Sequence, residues 1–271
     1  MRYWFQELYK SYRDYRGANP MRDVFEPTIV KARSAVDEFR PLARPDSIGA
    51  RPIDQTTLEL LWNLYALSRV VDLALLSFQP SRIEAPTPVA VTTEELSEFM
   101  VGLGFTIHVE QDFRPFFHEI VDLADETESN PSIENIFWPS FFLDDLLFLR
   151  SGVSITAPAR SYRKSVCENS VLYWSFIRRN RPTEDLSMGW GSNSQWRTKF
   201  RRDLIIGDTL IYNADGELRL GDGSSSPSSD PGRDDMPDAA WIDLIRHRCF
   251  VLDEVAHEPW PYSYRVEESR L

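Results

Sequence analysis

The sequence predicts an α+β fold in which an N-terminal helical layer packs on a mixed, mostly antiparallel sheet. Three observations carry that prediction. Apolar residues recur at helical spacing up to position 103, short β-branched and aromatic runs replace them from Phe105 onward, and a 42% apolar, 13% aromatic composition can fill a core for 271 residues.

The first helix is read from Trp4, Leu8, Tyr12 and Tyr15, stopped by Gly17, Asn19 and Pro20. A second begins near Pro27 and runs through Ile29, Val30, Ala32, Val36 and Phe39 to Pro41. Asp54 caps a third, whose apolar residues Leu58, Leu61, Leu64, Tyr65, Val70, Leu73 and Leu76 cover most of its circumference, so it should be a central packing element. Thr92 or Thr93 ahead of Glu95 opens a fourth that reaches Leu103.

Beyond it, residues 106–109, 153–156 and 171–177 read as strands, and residues 116–123 fit either a strand or one helical turn. Residues 143–150 read as a brief helix, with Asp144 and Asp145 capping a helix or facing water. Asp215-Gly216 between residues 209–213 and 217–220 is a strong local hairpin signal. The Gly, Ser, Pro and Asp tract at 221–235 cannot bury apolar surface and is expected to be a mobile loop. Asp238 then caps a helix through Ile245, followed by a strand around Phe250 and an aromatic tail. With no internal repeat and no compositional break, the chain reads as one domain: a helical part at 1–103 and an α+β part at 104–271.

Charges in the first sixteen residues leave no apolar core for a signal peptide, and Glu59, Asn63, Arg69 and Asp72 interrupt the most apolar stretch. A cytoplasmic protein that does not span the membrane is expected. Cys167 and Cys249 are too few for a disulfide framework, although the two could pair. The net charge is −12, a field that repels nucleic acid and anionic membrane and attracts cationic proteins, though acidity can equally serve solubility alone. Within residues 160–202 the balance reverses, with ten basic residues against Glu168, Glu184 and Asp185.

That basic stretch ends in the densest polar and aromatic cluster of the chain, where Trp190, Asn193, Gln195, Trp196, Arg197, Arg201 and Arg202 fall together. Two readings fit it. Indoles and guanidiniums can stack and clasp an anionic ligand, or the amides can close their own loop while the arginines pair with carboxylates such as Asp203. Gly189-Trp190-Gly191 lacks the glycine and lysine pattern of a nucleotide loop. His118-Glu119 with Asp122 has the start of a zincin pattern without its second histidine, so no metal is assigned. No catalytic residue or cofactor emerges, which points away from an enzyme.

Residues 190–203, together with Pro115-Phe116-Phe117-His118-Glu119 and Leu172-Tyr173-Trp174, resemble uncharacterised bacterial immunity proteins of polymorphic toxin systems. The resemblance implies a protein that binds and neutralises a cognate, cationic toxin domain; it transfers no site residue. Asp122, Asp125, Glu126, Glu128, Asp234 and Asp235 are the acidic candidates for that contact. The competing reading is an enzyme or ligand-binding protein in which the cluster at 190–202 holds an anionic substrate.

Overall fold

The computed structural model describes residues 4–44, 48, 53–79, 88–184, 196–221, 236–253 and 259–270. Four helices precede the first strand, as the spacing predicts: α1 (Trp4–Arg13), α2 (Glu26–Asp37), α3 (Gln55–Leu75) and α4 (Thr93–Leu103). Asp54 caps α3 by accepting from the Thr57 N–H at 2.6 Å. At α4 a full capping box forms, Thr92 Oγ1 accepting from the Glu95 N–H and the Glu95 carboxylate from the Thr92 N–H. The second helix starts where Pro27 predicts, with that proline in its first turn, and a π-helical turn at Met21–Phe25 runs straight into it.

Among the described residues the main sheet has seven strands: β1 (Thr106–His108), β4 (Ser140–Leu143), β5 (Leu146–Leu149), β9 (Asp203–Ile206), β10 (Thr209–Tyr212), β12 (Tyr264–Ser269) and β11 (Leu218–Arg219), side by side in that order. Every pairing is antiparallel except that of β11 with β12. A smaller sheet places β6 (Ser151–Pro158) between β2 (His118–Thr127) and β3 (Ser132–Trp138), and β7 (Leu172–Tyr173) pairs with β8 (Thr183–Glu184). Two further helices, α5 (Lys164–Asn169) and α6 (Asp238–His247), complete the fold. No helix among the described residues is long and apolar enough to cross a membrane.

The central strands of the main sheet are buried on both faces. Phe141, Leu143, Leu146, Phe148, Leu204 and Ile211 pack with the helical layer, whereas Phe142, Leu147, Leu210, Tyr212 and Val266 pack with α6, Phe116 and Phe117 on the other side. Alternate residues therefore serve two cores, and both must be apolar. This explains one error of the sequence reading: residues 143–150 are not a helix but the end of β4, a turn at Asp144-Asp145 and β5. A doubly buried strand shows a continuous apolar run that periodicity cannot separate from a buried helix. Asp144 takes φ 51° in the turn and pairs with Arg40 instead of capping a helix.

The hairpin expected around Asp215-Gly216 is also overturned. Strands β10 and β11 do not pair; the C-terminal β12, read from sequence as an aromatic tail, lies between them. Long-range contacts occupy the turn: the Asp215 carboxylate binds Arg202, the Asn213 amide donates to the Tyr262 and Tyr264 carbonyls, and a Cβ on Gly216 would come within 2.6 Å of the Tyr264 backbone. The tight hairpin forms one step earlier, β9 to β10, across Gly207 (φ 56°) and Asp208. Pro237, not Asp238, stands at the N-cap of α6, and no strand forms at Phe250. Residues 222–235, expected to be a mobile loop, lie outside the described residues.

Candidate functional site

The basic stretch at 160–202 does not make a basic surface, because several of its arginines turn inward. Arg178 is buried between α3 and β2, donating to Asp72 at 2.6 Å and to both oxygens of Glu119 at 2.7 and 3.0 Å. Arg202 is buried against Asp215, at 2.9 Å, and the Leu42 carbonyl. Arg201 meets the fully buried Asp203 at 2.6 Å and the Ile245 carbonyl at 2.9 Å. These pairs stitch helices to strands, and a buried carboxylate stranded by loss of its arginine would be strongly destabilising.

Asp203, at the start of β9, is the centre of the largest such cluster. Its Oδ1 accepts from Arg201 Nε and the Asn213 N–H, and its Oδ2 from Arg150 Nη2 at 3.1 Å and Arg248 Nη2 at 2.9 Å. Burial alone would raise this carboxyl, but the three guanidiniums hold it well below the usual range. Burial pushes Arg201 down to about 9 and Arg150 down to about 10, the latter also repelled by Arg248. The last-turn carbonyls of α6, Ile245 and Arg246, accept from Arg201 and Arg150, so the negative end of that helix faces the cations.

The described members of the sequence cluster are dispersed, not gathered. The half-buried Trp196 packs edge-on to Tyr9, ring centres 5.3 Å apart, with the Arg69 guanidinium 4.8 Å away. Arg197 is exposed, lying 5.6 Å from the Trp62 ring. Arg201 and Arg202 go to the two ion-pair clusters just described. Trp190, Asn193 and Gln195 lie outside the described residues. No described cavity unites Trp196 with Arg197.

The carboxylates separate likewise. Asp125 and Glu128 are exposed near the end of β2, and Glu134 on β3 is exposed beside Ile136, which is 40% accessible. Asp122 is half-buried, 3.6 Å from Lys164 Nζ and bonded by Ser154 Oγ, so it is engaged within the fold. The side chain of Glu126, and Asp234 and Asp235 altogether, lie outside the described residues. His118 is buried with Nδ1 at the Arg114 backbone, and burial pushes its imidazole below its ordinary value. Glu119 belongs to Arg178, and a bulge between Ile120 and Asp122 interrupts the alternation that would align His118 with Asp122. Among the described residues no group of three or more His, Cys, Asp or Glu side chains could hold a metal. Cys167 and Cys249 are buried and unpaired, and burial pushes the Cys167 thiol up to about 12, which keeps it unreactive.

Sequence reasoning offered Asp203 as one carboxylate with which the arginines of the cluster could pair, but it gave no role to Arg150, Arg248 or Trp174. The available signal was Arg150 itself, a charge placed directly against the apolar run at 146–149, which a buried site must compensate. No protein-family model matches the chain, no curated protein matches its sequence, and no solved structure matches its fold.

Proposed function

We propose that this chain is an acidic binding protein of the immunity type, which occupies a cationic toxin domain in the cytoplasm and blocks it. The observation that supports this reading is the sorting of charge between interior and exterior. Six arginines (69, 150, 178, 201, 202 and 248) but only four carboxylates (Asp72, Glu119, Glu168 and Asp203) are buried among the described residues. The interior of the described residues therefore holds two positive charges in excess, in a chain whose net charge is −12, so the acidic excess is not buried with them. Such a surface accelerates encounter with a cationic partner and disfavours polyanions.

Asp125 and Glu128 near the end of β2 and Glu134 on β3 supply exposed carboxylates at the two outer strands of the small sheet, and Ile136 on β3 is an exposed apolar side chain. The competing reading, in which the cluster at 190–202 holds an anionic substrate, loses support from the separation of its described members, Trp196, Arg197, Arg201 and Arg202. The test is affinity capture followed by calorimetric titration of the captured protein at low and high salt. A cationic domain whose affinity falls tenfold or more at high salt, and again in the Asp125→Lys, Glu128→Lys, Glu134→Lys variant, is expected. A partner that is acidic or neutral, or binding indifferent to both changes, would overturn the proposal.

A further inference from the structure

The Asp203 cluster has more cation than its carboxylate can answer. A carboxylate offers about four acceptor positions, and all are taken, by three guanidiniums and the Asn213 N–H. Arg201 Nη1 and Arg248 Nε remain buried without a hydrogen-bond partner. In Arg201 the Nε and Nη2 groups are committed to Asp203 and the Ile245 carbonyl, so Nη1 is the donor left over.

Arg201 also walls two cavities. One, of about 20 Å³, is lined by Arg201, Arg248 and Lys199 together with the hydroxyl-bearing Ser68 and Thr198, and no carboxylate lines it. That volume suits one water-sized atom. The other, of about 210 Å³, shares Trp174, Lys199, Phe200 and Arg201 as walls and adds Tyr262. Two carboxylates also line it, but they do not fill the need: Asp215 is held by Arg202, and Glu217 is exposed. Lys199 is exposed and makes no ion pair among the described residues.

Trp174 gives a second, independent indication. It adopts φ 60°, a left-handed conformation that a bulky side chain avoids unless its surroundings enforce it, and such positions gather at functional sites. The enforcing bonds are the Tyr173 N–H to the Arg248 carbonyl at 2.8 Å and the Trp174 N–H to the Glu184 carbonyl at 3.1 Å. They hold the indole over Arg201, whose guanidinium carbon is 4.1 Å from the ring centre, and edge-on to Tyr262 at 5.0 Å.

We infer that the cleft between Trp174, Lys199 and Arg201 binds a small oxyanion, a carboxylate or phosphate group bridging Lys199 Nζ and Arg201 Nη1, with Trp174 and Tyr262 flanking the organic part of its carrier. One oxygen of the group fills the smaller cavity toward Arg248, and its charge offsets the buried cationic excess. The guanidiniums supply paired donors and Lys199 a mobile charge at the entrance. This site is separate from the acidic surface, so either can fail without the other.

The experiment is thermal unfolding and tryptophan fluorescence of the full chain titrated with inorganic phosphate or acetate, against chloride at matched ionic strength. A saturable rise in Tm with phosphate or acetate, beyond chloride, is expected; the stronger of the two identifies the carrier as a phosphate ester or a carboxylic acid. Lys199→Gln, at an exposed position, should weaken the response about tenfold, the loss of one charge-assisted bond, while Lys10→Gln on α1 should leave it unchanged. Trp174→Phe should abolish the fluorescence change and retain the Tm response. No response beyond chloride, or equal responses in Lys199→Gln and Lys10→Gln, would overturn the inference.

Discussion

Asp203 shows what one side chain can organise when burial makes its charge expensive. Three arginines, from between β5 and β6, from just before β9 and from the end of α6, converge on it, and removing the shared carboxylate leaves them facing one another without water. Asp203→Asn is therefore expected to cost about 3–5 kcal/mol in urea unfolding, against about 0.5 kcal/mol or less for Asp125→Asn on the surface. His247 makes a second residue-scale prediction. Burial, with the nearby Arg150, Arg246 and Arg181 charges, pushes its imidazole from 6.5 down to about 3. Between those values the unfolded chain binds a proton that the folded chain refuses, so the stability is present above pH 6.5 and is lost as pH falls toward 3. His247→Phe, which preserves stacking on Phe113, should flatten the fall in unfolding free energy between about pH 6.5 and about pH 4. An unchanged slope would show that the imidazole does not contribute to it.

At the scale of elements, local signals succeed where the partner groups are near in sequence. The α4 capping box closes within four residues, and Thr92→Ala should cost about 1 kcal/mol, measured by chemical denaturation. Strand β6 obeys a longer-range constraint. A Cβ on Gly152 would fall 2.3 Å from the ring of Trp138, which is fully buried with its N–H bonded to the Arg150 carbonyl at 2.8 Å. Gly152→Ala should lower stability by about 1–3 kcal/mol, and near-ultraviolet circular dichroism should report the displaced indole. A smaller cost would mean that β3 can shift away from β6.

For the molecule as a whole, the acidic excess outside the core governs how stability responds to salt. Mutual repulsion of those carboxylates opposes compaction, and added salt screens it. Tm should therefore rise as sodium chloride is raised from low to moderate concentration, by about 2–4 °C for each kcal/mol of repulsion removed. The buried clusters are shielded from ions and should not reverse that trend. A falling Tm would instead show that surface ion pairs such as Arg246–Glu268 outweigh the repulsion.

Helix existence, the Asp54 and Thr92 caps and the α+β class were legible because each depends on residues a few positions apart. The same is true of the acidic character, a property of composition. Tertiary structure alone decided which charges face water. Arg178, Arg201 and Arg202 look like a basic surface stretch until Asp72 and Glu119 arrive from distant elements and Asp203 and Asp215 turn inward to meet them. It also decided strand order, because insertion of β12 beside β10 offers more backbone pairing and burial than the local Asp215-Gly216 turn. The oxyanion cleft belongs to the same class: Trp174, Lys199, Arg201 and Tyr262 share no spacing or motif. They meet only because β7, β9 and the segment before β12 converge on the C-terminal end of α6.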